Sequence, residues 1–67
     1  MENLEQQASV LFAKKEYEKA LEIYTLLFQG NPKNENYAIF CGNCHDSLGN
    51  KEKAAEFYEN ALKINKK

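Results

Sequence analysis

The sequence predicts an all-α protein built from two copies of one helical hairpin, and two observations support this prediction. The 67 residues repeat with a period of 34, so that YEKALEIY lies over KEKAAEFY with five identical pairs. Within each copy, apolar residues recur three or four positions apart, which is the spacing of one helix face. A period of this length indicates a tandem repeat of one supersecondary unit. We therefore expect four antiparallel helices in one domain, residues 1–67.

The first copy spans residues 1–34 and divides into helices near 2–14 and 17–29. Leu4, Ala8 and Leu11 place an apolar stripe on the first helix. A longer stripe marks the second helix, with Tyr17, Ala20, Leu21, Tyr24, Leu27 and Phe28. Gly30-Asn31-Pro32 ends it, because glycine permits left-handed dihedrals and proline cannot continue a helix.

The second copy spans residues 35–67, with helices near 35–48 and 51–65 and a corner at Leu48-Gly49-Asn50. Its first stripe consists of Tyr37, Cys41, Cys44 and Leu48. Its second consists of Ala54, Phe57, Tyr58, Ala61 and Ile64. We expect the small residues Ala8, Ala20, Gly42 and Ala54 to let helix backbones approach closely within each hairpin, and Tyr24 and Tyr58 to fill the space between the hairpins.

Composition excludes several functions. The net charge is −1, from 9 basic and 10 acidic residues mixed along the chain, whereas phosphate binding needs a concentrated basic face. No stretch approaches the roughly 20 apolar residues of a membrane span, and the N-terminus has no features of an export signal. We expect a cytoplasmic protein that does not bind nucleic acid or membranes. No catalytic triad, paired-carboxylate site or phosphate loop appears, so we expect no enzyme activity.

The arrangement resembles the tetratricopeptide repeat, a 34-residue helix–turn–helix unit with the pattern W-x2-L-G-x2-Y, then A-x3-F, then A and P. The resemblance covers the whole chain. Matching or equivalent positions are Leu4, Ala8, Leu11, Ala20, Tyr24 and Pro32 in copy one, and Gly42, Ala54, Tyr58 and Ala61 in copy two. Departures from the pattern are Gln7, Leu27, Ala38, Cys41, His45 and Lys66.

The resemblance implies a right-handed stack of helical hairpins whose first helices line a concave groove for a peptide or helix of a partner protein. It implies no catalytic centre and no cofactor. The expected groove residues are Glu2, Glu5, Ser9, Phe12 and Ala13 in copy one, and Asn36, Ile39, Asn43, Asp46 and Ser47 in copy two. Some family members clamp a partner's terminal carboxylate with Lys, Arg and Asn. Asn43 matches one such position, but Glu5 replaces a lysine, so we expect a neutral or basic partner.

Cys41-Gly42-Asn43-Cys44-His45 spells C-x-x-C-H, the attachment motif of c-type haem. A haem carrier, a redox-active C-x-x-C pair and a zinc site are therefore alternatives. Against them, the segment coincides with the apolar stripe of the third helix, there is no second histidine, and zinc needs four ligands. We interpret the cysteines as packing residues of the core.

The last helix offers a further alternative. With no capping helix after it, Phe57, Leu62 and Ile64 would leave apolar surface open, and two repeats are fewer than the three that usually give stability. Self-association, packing onto a partner, or continuation of the repeats in a longer chain would each cover this surface. A small self-assembling module, homo-oligomeric through this helix, is therefore the second functional hypothesis.

Overall fold

The computed structural model describes residues 3–65, which form four α-helices and no strand. The helices are α1 (Leu4–Ala13), α2 (Tyr17–Gly30), α3 (Glu35–Ser47) and α4 (Lys51–Asn65). Each helix packs against the next one along the chain, as short connections between antiparallel helices require. This confirms the predicted all-α architecture of helical hairpins, with helix ends within two residues of the predicted ones.

Two asparagines begin helices by capping free backbone donors. Asn3 Oδ1 accepts a hydrogen bond from the Gln6 backbone N–H at 2.8 Å, and the Gln6 side chain accepts one from the Asn3 backbone N–H, completing a capping box. Asn34 Oδ1 accepts from the Asn36 backbone N–H at 3.0 Å at the start of α3. The N-termini of α1 and α3 are therefore both fixed by side-chain caps.

The turns within the two hairpins share one unusual backbone conformation. Lys15 has φ = 66° and Gly49 has φ = 88°, and these residues are 34 positions apart. A left-handed residue directly after a helix lets the chain reverse and is normally glycine. The repeat therefore extends to backbone dihedrals, although only the second copy has the residue that adopts this conformation without strain.

The core lies where α1, α2 and α3 meet. Its buried cluster consists of Ala8, Ala20, Tyr24, Cys41 and Cys44, with half-buried aromatic and aliphatic side chains packed around it. Between α3 and α4, Gly42 lies against the Tyr58 ring: a Cβ atom at Gly42 would be only 2.6 Å from Tyr58 Cε1. The prediction that small residues permit close helix approach is confirmed at this position. The prediction for Tyr58 was wrong, because its ring and hydroxyl contact Gly42 and Asn43 within the second hairpin and do not fill the space between the hairpins.

One residue of the predicted core stripes lies elsewhere. Leu4 is 46% exposed, whereas Ala8 is fully buried and Leu11 is partly buried. Leu4 is the first residue of α1, and α2 is the only described helix that makes an extensive contact with α1. The prediction was wrong for Leu4 because helical spacing shows which residues share a face but not whether a neighbour extends over all of it.

Candidate functional site

A concave cavity of about 340 Å³ lies between the first helices of the two hairpins. Its wall on α1 is formed by one face of that helix, its wall on α3 by residues one turn apart, and its floor by a single residue of α2. The lining residues are Glu5, Ser9, Phe12, Ala13, Tyr24, Phe40 and Asn43. The cavity thus combines residues from both repeats, and neither hairpin forms it alone.

Aromatic rings form the apolar part of the cavity. Tyr24 is almost fully buried and stacks on Phe40, with ring centroids 4.8 Å apart and planes inclined by 27°. Phe12 is half-buried and meets Tyr17 edge to face at 5.2 Å. Because these contacts fix the rings without any ligand, the apolar surface of the cavity is already organised.

Asn43 supplies an oriented polar group on the α3 wall. The Tyr58 hydroxyl donates a hydrogen bond to Asn43 Oδ1 at 2.6 Å, across from α4. This bond occupies the amide oxygen, and Asn43 Nδ2 makes no hydrogen bond to another residue in the range 3–65. The carboxamide therefore keeps its two N–H donors for a ligand.

The electrostatic character of the cavity is set by Glu5, its one ionisable carboxylate among the seven lining residues. Burial raises the pKa of the Tyr24 phenol, and the charges that Cys44 and Glu5 carry when ionised raise it further. Glu5 and Tyr24 line the same cavity. A cation is favoured there and an anion is disfavoured.

The structure brings together five of the ten expected groove residues, namely Glu5, Ser9, Phe12, Ala13 and Asn43. Asn36, Ile39, Asp46 and Ser47 lie outside the lining, and Asp46 instead forms an ion pair with Lys51 of α4. Glu2 lies outside the described residues. These placements describe geometry, and ligand binding by any of these residues stays a prediction.

Sequence reasoning missed Phe40 and assigned Tyr24 to the core alone. Tyr24 does belong to the core cluster, but it also lines the cavity. A signal for Phe40 was present, since it precedes Asn43 by three positions and residues so spaced share one helix face. Phe40 was overlooked because the repeat pattern assigns no residue type to its position.

The cysteine motif is placed in the interior. Cys41 and Cys44 are both fully buried, and burial raises the pKa of both thiols, that of Cys44 to about 11. A reactive or haem-bearing thiol must be reachable, and thiolates form where pKa values are lowered. His45 is half-buried and stacks on Phe57 at 5.3 Å. No cluster of three metal-binding side chains occurs within residues 3–65.

The three residues predicted to form an oligomer interface on α4 differ in exposure. Phe57 is half-buried, meets Phe28 edge to face at 5.9 Å and packs against the core. Ile64 is also half-buried. Leu62 is 71% exposed. Phe57 thus makes most of its contacts within the molecule, whereas the exposed Leu62 side chain could be covered by an additional surface.

Among the described residues, no helix has the length and apolarity needed to cross a membrane.

Comparisons with known proteins identify the family. Searches of curated proteins and of solved structures gave no match. The family model of the tetratricopeptide repeat matches residues 11–67, which include α2, α3 and α4. Four helices in two hairpins with a period of 34 agree with that match, and the chain belongs to the tetratricopeptide repeat family.

Proposed function

We propose that this chain is a protein-interaction module that binds a peptide or helix of a partner protein in the cavity between α1 and α3. Tetratricopeptide repeats generally mediate protein–protein interactions and are typically non-enzymatic scaffolds. The observation that supports the proposal most directly is the joining of Glu5, Ser9 and Phe12 of α1 with Phe40 and Asn43 of α3 around one cavity.

The chemistry of this cavity suits a peptide. Fixed aromatic rings offer apolar area to a side chain, while Asn43 offers N–H donors that a peptide carbonyl can accept. The Glu5 carboxylate makes a neutral or basic segment the favoured partner and opposes an acidic one. No step of chemical catalysis is needed for this function.

The test is an NMR titration of the isotope-labelled chain with two capped peptides, one basic and amphipathic, one ending in an acidic segment with a free carboxylate. The basic peptide should shift the amide signals of Glu5, Ser9, Phe12, Phe40 and Asn43. Ser9→Trp, which fills the cavity, should abolish these shifts. Ala55→Trp places the same ring at another exposed position and should leave them intact. Preference for the acidic peptide, or shifts unaffected by Ser9→Trp, would refute the proposal.

We also propose a second function, self-assembly through α4, which the 71% exposure of Leu62 favours. Covering a leucine side chain contributes roughly 1.5–3 kcal/mol to an association. The two proposals use different faces of the molecule and can be tested separately.

A further inference from the structure

We propose that the residue recognised in the cavity is an arginine of the partner peptide, whose guanidinium pairs with Glu5 and contacts the ring of Phe12 or Phe40. This inference rests on the proposed peptide-binding function and specifies the side chain that the cavity selects. It follows from the charge of the cavity, from its ring geometry and from the position of a free donor.

Charge selects a cation. Glu5 is exposed, makes no ion pair with another residue in the range 3–65, and is the sole charged residue of the lining. A purely apolar anchor would cover this carboxylate without giving it a partner, which costs free energy. An acidic anchor would be repelled by it. A cationic anchor removes both penalties.

The aromatic rings select arginine over lysine. The guanidinium group is planar, is weakly hydrated and stacks on aromatic faces, whereas the ammonium group of lysine is a compact and strongly hydrated charge. Phe12 and Phe40 stand on opposite helices of the same cavity that contains Glu5. A planar cation can therefore contact a ring and form two parallel hydrogen bonds with the carboxylate.

Asn43 adds a fixed point for the peptide backbone. Its carboxamide oxygen is held by the Tyr58 hydroxyl at 2.6 Å, which leaves its N–H donors on the wall opposite Glu5. A peptide carbonyl next to the arginine can accept from this group. The cavity thus provides an anion for the side chain and a donor for the main chain, as an arginine-bearing peptide requires.

The experiment is a two-by-two comparison of peptide and protein. The probe is a capped nonapeptide of alanine, leucine and serine around one central arginine. The comparison peptide has the same sequence with citrulline, the neutral isostere of arginine, at the centre. Both are titrated by NMR into the natural chain and into Glu5→Gln. The arginine peptide should bind the natural chain about threefold more tightly than the citrulline peptide, as expected for an exposed ion pair. Glu5→Gln should remove this difference.

Control experiments distinguish the arginine inference from the proposed peptide-binding function on which it rests. Glu59→Gln removes one exposed carboxylate on α4 and should leave the arginine preference unchanged. A lysine version of the peptide should bind more weakly than the arginine version. If the arginine and citrulline peptides bind the natural chain with equal affinity, or if the lysine peptide binds as tightly as the arginine peptide, the arginine inference fails and peptide binding stands. If neither peptide shifts these signals, both proposals fail.

Discussion

Gly42 shows how one missing side chain sets the distance between two helices. A Cβ atom added at Gly42 would lie 2.6 Å from Cε1 and 2.9 Å from Cδ1 of Tyr58. The ring cannot simply swing away, because its hydroxyl is hydrogen-bonded to Asn43. The close approach of α3 and α4 therefore depends on glycine at this position.

We predict that Gly42→Ala lowers the free energy of unfolding by about 1–2 kcal/mol, because the clash with Tyr58 outweighs the higher helix propensity of alanine. Gly30→Ala is the matched control. Gly30 is also helical, and an added Cβ there would have no neighbour within 4 Å. Its stability should stay equal or rise slightly. Urea denaturation followed by circular dichroism measures both, and an equal effect of the two substitutions would contradict the prediction.

His45 lies at the position where the tetratricopeptide repeat pattern has tyrosine. Its ring stacks on Phe57 with planes inclined by 16°, and its Nδ1 atom is buried without a hydrogen-bond partner within the described residues. Burial lowers the pKa of His45 below its ordinary value of 6.5, and the nearby Lys53 lowers it further, whereas Glu56 opposes this shift. His45 is thus held preferentially neutral in the folded chain.

This environment makes stability depend on pH. As the pH falls through 6.5, the unfolded chain takes up a proton on His45 before the folded chain does, so the free energy of unfolding decreases. It levels off once the folded-state pKa is passed. We predict that His45→Phe removes this decrease and raises stability by about 1 kcal/mol, since no unpaired nitrogen remains buried. His45 is the only histidine in the sequence. Urea denaturation at pH 7.5 and 5.5 tests this, and an unchanged pH dependence in the variant would disprove it.

Among the elements, α3 contributes most to the interior. Its buried residues are mainly small, and they let α2 and α4 approach it from two sides; they are Tyr37, Ala38, Cys41, Gly42 and Cys44. The cysteines therefore serve in this helix as compact apolar side chains. The two cysteines are three positions apart because residues with this spacing lie on the same face of a helix, here the buried face of α3.

We predict that a thiol-specific reagent such as Ellman's reagent leaves Cys41 and Cys44 unmodified in the folded chain at pH 8. Both thiols are fully buried and their pKa values are raised, so neither access nor thiolate is available. In 8 M urea both should react at once, which provides the positive control. Rapid labelling of the folded chain would show instead that the C-x-x-C segment is open to chemistry.

The sequence predicted the four helices, but it did not predict the left-handed backbone of the turn between α1 and α2. Periodicity located all four helices, and Gly30-Asn31-Pro32 located the end of α2. The reason given for Gly30 was wrong, because this glycine is the last residue of α2 and does not adopt a left-handed conformation. The corner around Lys15 was predicted only as a polar connection, because lysine does not indicate a left-handed conformation. Displacing the sequence by 34 would have revealed it, since Gly49 occupies the equivalent position and has the same sign of φ.

For the whole molecule, the sequence predicted which helices form the cavity better than it predicted which residues line it. Of the residues expected from their position within the repeat, Glu5, Ser9, Phe12, Ala13 and Asn43 line the cavity, and peptide binding by all ten stays a prediction. Repeat position alone does not give the boundary of a cavity, because that boundary depends on how two hairpins are inclined to each other. That inclination depends on packing between α2 and α3, such as the stacking of Tyr24 on Phe40, and it has no signature in helical periodicity.

The exposed face of α4 provides a prediction for the whole molecule. If the chain self-associates through Leu62, then Leu62→Glu should raise the dissociation constant at least tenfold, because it replaces burial of a leucine by burial of a charge. Leu26→Glu is the matched control, since Leu26 is 59% exposed on α2. Sedimentation velocity over a wide concentration range measures both. A natural chain that stays monomeric at the highest concentration would rule out self-assembly.

The hydrogen bond from Tyr58 to Asn43 links α4 to the wall of the cavity in which we propose that a peptide binds. A ligand that pulls on the Asn43 carboxamide alters the environment of a phenol that lies outside the cavity lining. Suppose that a second partner docks on α4 and displaces Tyr58. By thermodynamic reciprocity, the factor by which this partner changes the affinity for the peptide equals the factor by which the peptide changes the affinity for this partner. A fluorine label on the Tyr58 ring would therefore report occupancy from a distance, without occupying the space that the peptide needs.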